Sequence, residues 1–328
     1  MIFFPSCDFV HARRSLNRLD TVTTLLRAVQ GLGKMTQWTM SESLEFLVEL
    51  LDIETIEVNI FRGKHPKEER QRTFGGQVAA QSLMAAGRTV ERLRVHSLHS
   101  YFLRPGDTTS PILFEVDRIR DGRSFTTRRV VAIQHGKAIY NMQASFHNEE
   151  VSIEHQFEMP DAPPPESIKP LAERIASESG NFDEWFKRGH PIDQRFIGEL
   201  PWSPLRSKEP RQRLWIKADG ELPDDPLLHA CVVTYASDMS LFDAILRPHS
   251  LRWDDGTFMG ASLDHCMWFH RDFRADEWLL YDMDSPIAHG GRGLARGFLF
   301  DQSGELKVSM VQEGLTRVLT PVSHVAPV

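Results

Sequence analysis

The stretch GASLDHCMWFH, residues 260–270, sets two histidines, a cysteine and an aspartate within a few positions. Such a set can hold a metal ion, supply a nucleophile, or form a core strand with polar neighbours. Read as a strand over 261–270, it points Ser262, Asp264, Cys266, Trp268 and His270 one way. Leu263, His265, Met267 and Phe269 then point the other way. Cys266 and His265 therefore cannot share an ion. His96 and His99 are split in the same manner, and no four-ligand spacing of the zinc type occurs in the chain. No metal is expected. Nothing beside Cys266 would lower its pKa, so it reads as a buried structural thiol. The GxSxG elbow of many serine hydrolases is missing.

Three other positions break their local pattern. On a helical spacing, Leu227/Leu228, Cys231, Tyr235 and Asp238 form one stripe, so a carboxylate falls on the face that should be buried. Leu306, Val308, Met310 and Gln312 share one face of a strand, where an amide interrupts an apolar row. Ser262 opens the strand that follows the helix. An unpaired buried polar group costs about 1–3 kcal/mol, so these three should meet each other or a ligand. Taken singly, each has a plain reading: a solvated helix end, an edge bond, a filler residue.

The elements that must position them occur in two similar runs. In the first, GGQVAAQSLMAAGRTV (75–90) reads as a helix whose two leading glycines allow close backbone approach. Strands follow near 94–102, 111–120, 124–134 and 138–147. In the second, residues 225–246 read as one helix, with Asp225 as N-cap and Pro226 at the first position. Strands follow near 261–270, 277–284, 292–300 and 305–313. At a constant offset of 168, Gly122, Arg128, Gln134, Gly136 and Met142 match Gly290, Arg296, Gln302, Gly304 and Met310. At 167, YFLR (101–104) matches WFHR (268–271). The chain thus reads as an internal duplication of an α+β unit. At the same offsets Val95 stands opposite Ser262 and Ala144 opposite Gln312, so polar groups are kept in one copy only.

The expected organisation is an extension over 1–40, a first repeat over 41–150, a proline-rich linker and peripheral segment over 151–212, and a second repeat over 213–320. A short helix is expected at FDEWFKR (182–188). The chain has 328 residues, a formal charge of −7 and three cysteines without a CxxC pair. That balance suits a globular protein of a reducing compartment and gives no basic excess for nucleic acid. No apolar run approaches the roughly 18 residues that span a membrane. Residues 15–35 have the arginines and apolar spacing of a weak targeting helix, but Asp8 and Asp20 count against mitochondrial import. The ending HVAPV is no SKL-like peroxisomal address, and a cytoplasmic location is expected.

The segments RTFGGQVAAQSL, YASDMSLFDA, ASLDHCMWFHRDF, WLLYDMDSP and VSMVQEGLTR, in this order between Ser41 and Arg317, resemble the acyl-CoA thioesterase II family. The resemblance implies a double hotdog: two tandem repeats, each a long helix wrapped by a curved antiparallel sheet. It implies hydrolysis of fatty acyl-CoA without a cofactor, and assembly into homo-oligomers, dimer or tetramer. The family's aspartate, threonine or serine, and glutamine fall on Asp238, Ser262 and Gln312. The extension before Ser41 has no counterpart in the compact family pattern.

Further expectations follow. Asp238 would orient or deprotonate a water, with Ser262 and Gln312 bonding that water. Backbone N–H groups around Gly75 and Gly76 are candidates to assist, by fold analogy. A serine nucleophile would need a base, and His265 points away from Ser262 in a regular strand. Met239, Phe242, Met267 and Trp268 are candidates for an acyl tunnel, though such spacing equally suits plain core. Arg104, Arg128, Arg271 and Arg296 are candidates for the CoA phosphates, though an arginine repeated in both halves equally suits a structural role. Two other readings stand beside hydrolysis: a non-catalytic acyl-CoA binder or sensor, and a hotdog enoyl-thioester hydratase. The latter would want a His–Asp or His–Glu pair.

Overall fold

The computed structural model describes residues 41–65, 72–177, 190–203, 208–249, 251, 253 and 256–319. The 1–40 extension, the helix expected at 182–188 and the C-terminal HVAPV lie outside the described residues.

The first run opens with helix α1 (Glu42–Leu51), whose Leu44 N–H is capped by the Ser41 hydroxyl. Strands β1 (Glu54–Glu57) and β2 (Ile60–Gly63) lead to helix α2 (Gly75–Gly87). Then come β3 (Arg94–Phe102), β4 (Ile112–Asp121), β5 (Phe125–Gln134) and β6 (Lys137–His147). A short helix α3 (Leu171–Ser177) precedes the second run, β7 (Ile192–Phe196), β8 (Arg211–Ala218) and helix α4 (Pro226–Ser237). The one-turn α5 (Asp243–Leu246) is followed by β9 (Phe258–Ser262), β10 (Asp264–Phe269), β11 (Leu279–His289), β12 (Arg292–Asp301) and β13 (Leu306–Val318). No described helix is long and apolar enough to cross a membrane.

All strands join one antiparallel sheet in the order β1-β2-β4-β5-β6-β3-β10-β13-β12-β11-β8-β7, with β9 beside β13. The order reads alike outward from the β3–β10 seam, so β7 and β8 hold the places of β1 and β2. Part of the 151–212 stretch is thus hydrogen-bonded into the sheet. The proline-rich part crosses its outer face, where Pro163 accepts a hydrogen bond from the Trp215 indole at 2.8 Å.

The two helices run antiparallel at the centre. A Cβ on Gly75 would lie 2.6 Å from Asp238 Oδ2, and one on Gly87 would lie 2.4 Å from Leu227. From Gly76 to Gly87 every α2 residue is buried, which its small side chains permit.

Three expectations need correction. The helix over 225–246 stops at Ser237, with Asp238 as its C-cap. Near its end the hydroxyls of Thr234 and Ser237 bond back to Ala230 O and Thr234 O, competing for carbonyls of the helical ladder. Next, the strand over 261–270 is two strands broken at Leu263. Ser262 pairs with Gly314 and Cys266 with Val311, so one extra residue is accommodated between them. This bulge turns Ser262 to the side that His265 occupies, against the alternation expected of a regular strand. Finally, Arg128 and Arg296 are not equivalent. Arg128 is 1% exposed, whereas Arg296 is exposed and pairs with Asp284. The partner of Arg296 in the first half is Arg129, which pairs with Asp117. The correspondences at the site hold: Val95 pairs with Phe146 as Ser262 pairs with Gly314, and Ala144 lies 168 residues before Gln312 on the matching strand. Gln134 and Gln302 do not correspond, since Gln134 is buried within β5 whereas Gln302 is exposed in the turn after β12.

Candidate active site

Asp238, Ser262 and Gln312 come together from the end of α4, the end of β9 and the middle of β13. Gln312 Nε2 donates to Asp238 Oδ1 and to Ser262 Oγ, both at 2.7 Å. Ser262 Oγ donates to the same carboxylate oxygen at 3.2 Å. The Gly76 N–H, in the first turn of α2, also donates to Asp238. That turn is open to such a bond because its N-cap, Phe74, has no capping side chain. The amide of Gln312 is 1% exposed, and its oxygen has no partner among the described residues.

Burial raises the Asp238 pKa to about 6, against the bonds from Gln312, Ser262 and Gly76 and the nearby charge of Arg72, which lower it. Loss of water outweighs the donors, leaving a carboxylate that ionises close to neutrality. A second carboxyl shares the cavity. Asp243 is pushed up to about 7 by burial, with a partial offset from the Trp253 indole, which donates at 3.3 Å.

The group opens on a cavity of about 630 Å³ lined by Gly75, Asp238, Ser262 and Asp243 and by apolar side chains that include Val78, Phe102, Ile139, Phe196, Phe242 and Leu246. This combination, a basic carboxylate with fixed donors at one end of an apolar chamber, suits attack of water on a carbonyl that carries a long apolar tail.

His265 stands on the side of Ser262, because of the bulge, yet is bonded elsewhere. Its Nε2 lies 2.8 Å from Ser237 Oγ, and burial lowers its pKa to about 4. Burial raises the thiol pKa of both Cys231 and Cys266; Cys231 is buried, whereas Cys266, expected to be buried, is only half-buried. Among the described residues no three His, Cys, Asp or Glu side chains are grouped to hold a metal ion.

Other expected residues divide. Gly75, Met239, Phe242 and Arg104 line the cavity. Met267 is fully buried in the core, and Trp268, on the opposite face of β10, packs edge-on against His99 at 5.2 Å. Neither reaches the chamber. Arg271 lies in a different cavity, Arg128 is anchored by Thr89 and Asp121, and Arg296 by Asp284. Two site residues escaped sequence reasoning. Arg72 donates to Gly260 O at 2.9 Å and lines the chamber, and Asp243 is the buried carboxyl described above. The signal for Asp243 was present: an acid in the apolar run SLFDAIL.

A family model described as acyl-CoA thioesterase matches residues 194–315, and one described as acyl-CoA thioesterase N-terminal domain matches residues 65–147. The human acyl-coenzyme A thioesterase 8 is 40% identical over 298 residues, covering 84% of this chain and 90% of that protein. Acyl-CoA thioesterase 2 of Haemophilus influenzae is 36% identical over 290 residues, covering 85% and 99%. Among solved structures, an acyl-CoA thioesterase II from Mycobacterium marinum is 45% identical, with a TM-score of 0.69 over 83% of this chain and 98% of that one. A hot dog fold protein from Alicyclobacillus acidocaldarius, 18% identical with a TM-score of 0.69 over 84% and 99%, shares the fold. By both family models and by identity over most of its length, the chain belongs to the acyl-CoA thioesterase family, in its thioesterase II branch, and is a thioester hydrolase with a double hotdog fold.

Proposed function

We propose that the chain hydrolyses fatty acyl-CoA to the free acid and CoA, and that Asp238 activates the attacking water. The observation that carries this reading is the convergence of Asp238, Ser262 and Gln312 at one end of the apolar chamber. The carboxylate accepts a proton from water as the water adds to the thioester carbonyl. Ser262 and Gln312 hold the carboxylate in place and can pass their bonds to that water. The start of α2 brings a positive helix end toward the developing oxyanion. The acyl chain lies along Val78, Phe102 and Phe242. Arg72 and Arg104, which line the chamber, replace Arg271 as candidates to meet the CoA phosphates. Thiolate leaves readily, so no acyl-enzyme is needed, and His265, turned to Ser237, is not placed as a base for Ser262.

The same placement weighs against hydratase chemistry, since no histidine lines this chamber among the described residues. The catalytic centre is assigned to the second repeat, one per chain, and association into dimers or tetramers is part of the proposal. The test is thiol release from saturated acyl-CoAs of rising length, for the wild type and Asp238→Ala. Release that collapses in the variant supports the reading. Binding without release in the wild type makes the chain a sensor. Undiminished release in the variant removes Asp238 from the mechanism.

A further inference from the structure

The two-fold relation about the β3–β10 seam generates a second chamber, of about 790 Å³. Aligning the starts of α2 and α4 puts Asp225, Pro226 and His229 where the first chamber has Phe74, Gly75 and Val78. The matched strands β3 and β10 put Phe269 and Arg271 where it has Phe102 and Arg104. All five residues of the second set line the second chamber.

Its chemistry is altered throughout. Gly87, Val95 and Ala144 stand where the first chamber has Asp238, Ser262 and Gln312, so carboxylate, hydroxyl and amide are all missing. The helix start is closed as well. Pro226 has no N–H, and the N–H groups of Leu227 and Leu228 are taken by Asp225 Oδ1 at 2.9 and 3.4 Å. The three groups assigned to water activation in the first chamber have no counterparts here.

The space nevertheless persists, and a donor stands where the first chamber has Val78. His229 is 2% exposed, and its Nδ1 accepts the Ala275 N–H at 3.0 Å. That bond leaves the imidazole hydrogen on Nε2, which is buried and without a partner among the described residues. Burial lowers the His229 pKa, so this donor is uncharged at neutral pH. The wall beside it is apolar, with Val95, Phe146, Leu227, Phe269 and Phe273. The rim carries charges of both signs, several of them paired. Arg94 pairs with Asp272, Arg274 with Asp276, and Lys307 with Asp301. An apolar wall beside a neutral N–H suits a long apolar chain ending in an uncharged carbonyl oxygen.

We infer that the second chamber binds a fatty acyl chain, its carbonyl oxygen on His229 Nε2–H, and holds it without hydrolysis. Two sources share this chemistry, the intact acyl thioester and the protonated free acid.

The test is calorimetric titration of the full-length Asp238→Ala chain, in which the first chamber binds without turnover, with dodecanoyl-CoA and separately with dodecanoic acid. Two equivalents per chain are expected with at least one of these ligands. Adding Val95→Phe or His229→Phe should reduce two to one, and His229→Gln, which keeps a donor, should restore the second. Retention of the second equivalent with only one ligand identifies the source. One equivalent throughout, or two that neither Val95→Phe nor His229→Phe removes, overturns the inference. Val95→Phe in the otherwise wild-type chain should release thiol at the normal rate, which separates loss of this site from misfolding. Turnover of the wild type is a separate readout, so failure of the thioesterase mechanism and failure of the second site are told apart.

Discussion

At the scale of single residues, the proposed centre is three polar side chains that bond one another, leaving the Gln312 amide oxygen without a partner among the described residues. On the proposed mechanism Asp238 sets the pH dependence. Its pKa is raised from 3.8 to about 6, so kcat/KM should rise as pH passes upward through about 6 and level off above it. A profile flat across that window counts against Asp238 as the base. The same shift has a stability consequence. Between the ordinary carboxylate range and about 6 the folded chain holds a proton that the unfolded chain has released, so stability falls as pH rises through the window. Asp238→Asn lacks that loss. Its stability relative to the wild type should therefore be greater at pH 8 than at pH 4, by roughly 1–3 kcal/mol, in urea unfolding. Its thiol release should drop by about 10²–10⁴. Ser262→Ala should lose activity while Ser262→Thr keeps most of it, because only the hydroxyl enters the network. A drop in the threonine variant equal to that in the alanine variant would show that shape matters more than the bond. Asp238 and Gln312 were legible because each interrupts an apolar stripe that helix or strand periodicity lays down. Asp243 was not singled out, and nothing local marks Arg72, whose role depends on Gly260 reaching it from another strand.

At the scale of elements, the site depends on where regularity stops. The halt of α4 at Ser237 makes Asp238 a cap residue, and the bulge at Leu263 and Asp264 turns Ser262 inward. Alternation alone put Ser262 and His265 on opposite faces, and a single accommodated residue reversed that. Such a bulge leaves no compositional mark, so the strand's existence was legible and its phase was not. Asp264 helps to pin it, accepting the Glu313 N–H at 2.7 Å. The helix–helix contact is equally local. Gly75→Ala would drive a methyl to 2.6 Å from Asp238 Oδ2 and 3.0 Å from Phe102. The expected outcome is a fall of tenfold or more in kcat with little change in melting temperature, since the carboxylate can swing away. Gly76→Ala meets the backbone oxygen of Tyr235 at 2.5 Å, which cannot swing, and should cost about 1–3 kcal/mol of stability. Thermal melts and steady-state kinetics on the pair separate the two effects. If both variants behave alike, the close approach of α2 and α4 is not what fixes the carboxylate.

At the scale of the whole molecule, the seam between β3 and β10 and the crossing of α2 and α4 make each repeat the missing half of the other's core. Leu98 and Met267, opposite one another across the seam, are fully buried. Calorimetry should therefore record one cooperative transition for the two repeats, and two separated endotherms would show that they fold independently. The duplication was readable because glycines and arginines recur in register, although for Arg128 and Arg296 the register slipped by one where β-strand irregularities differ between the copies. The seam has one more consequence, for inheritance. When two identical chains pair to make two equivalent chambers, every substitution arrives in both, and a change that spoils one spoils its twin. Once both copies lie on one chain, a substitution such as a proline at the head of a single helix is confined to one chamber. The fused arrangement lets one chamber stay under selection for hydrolysis while the other drifts toward a different use.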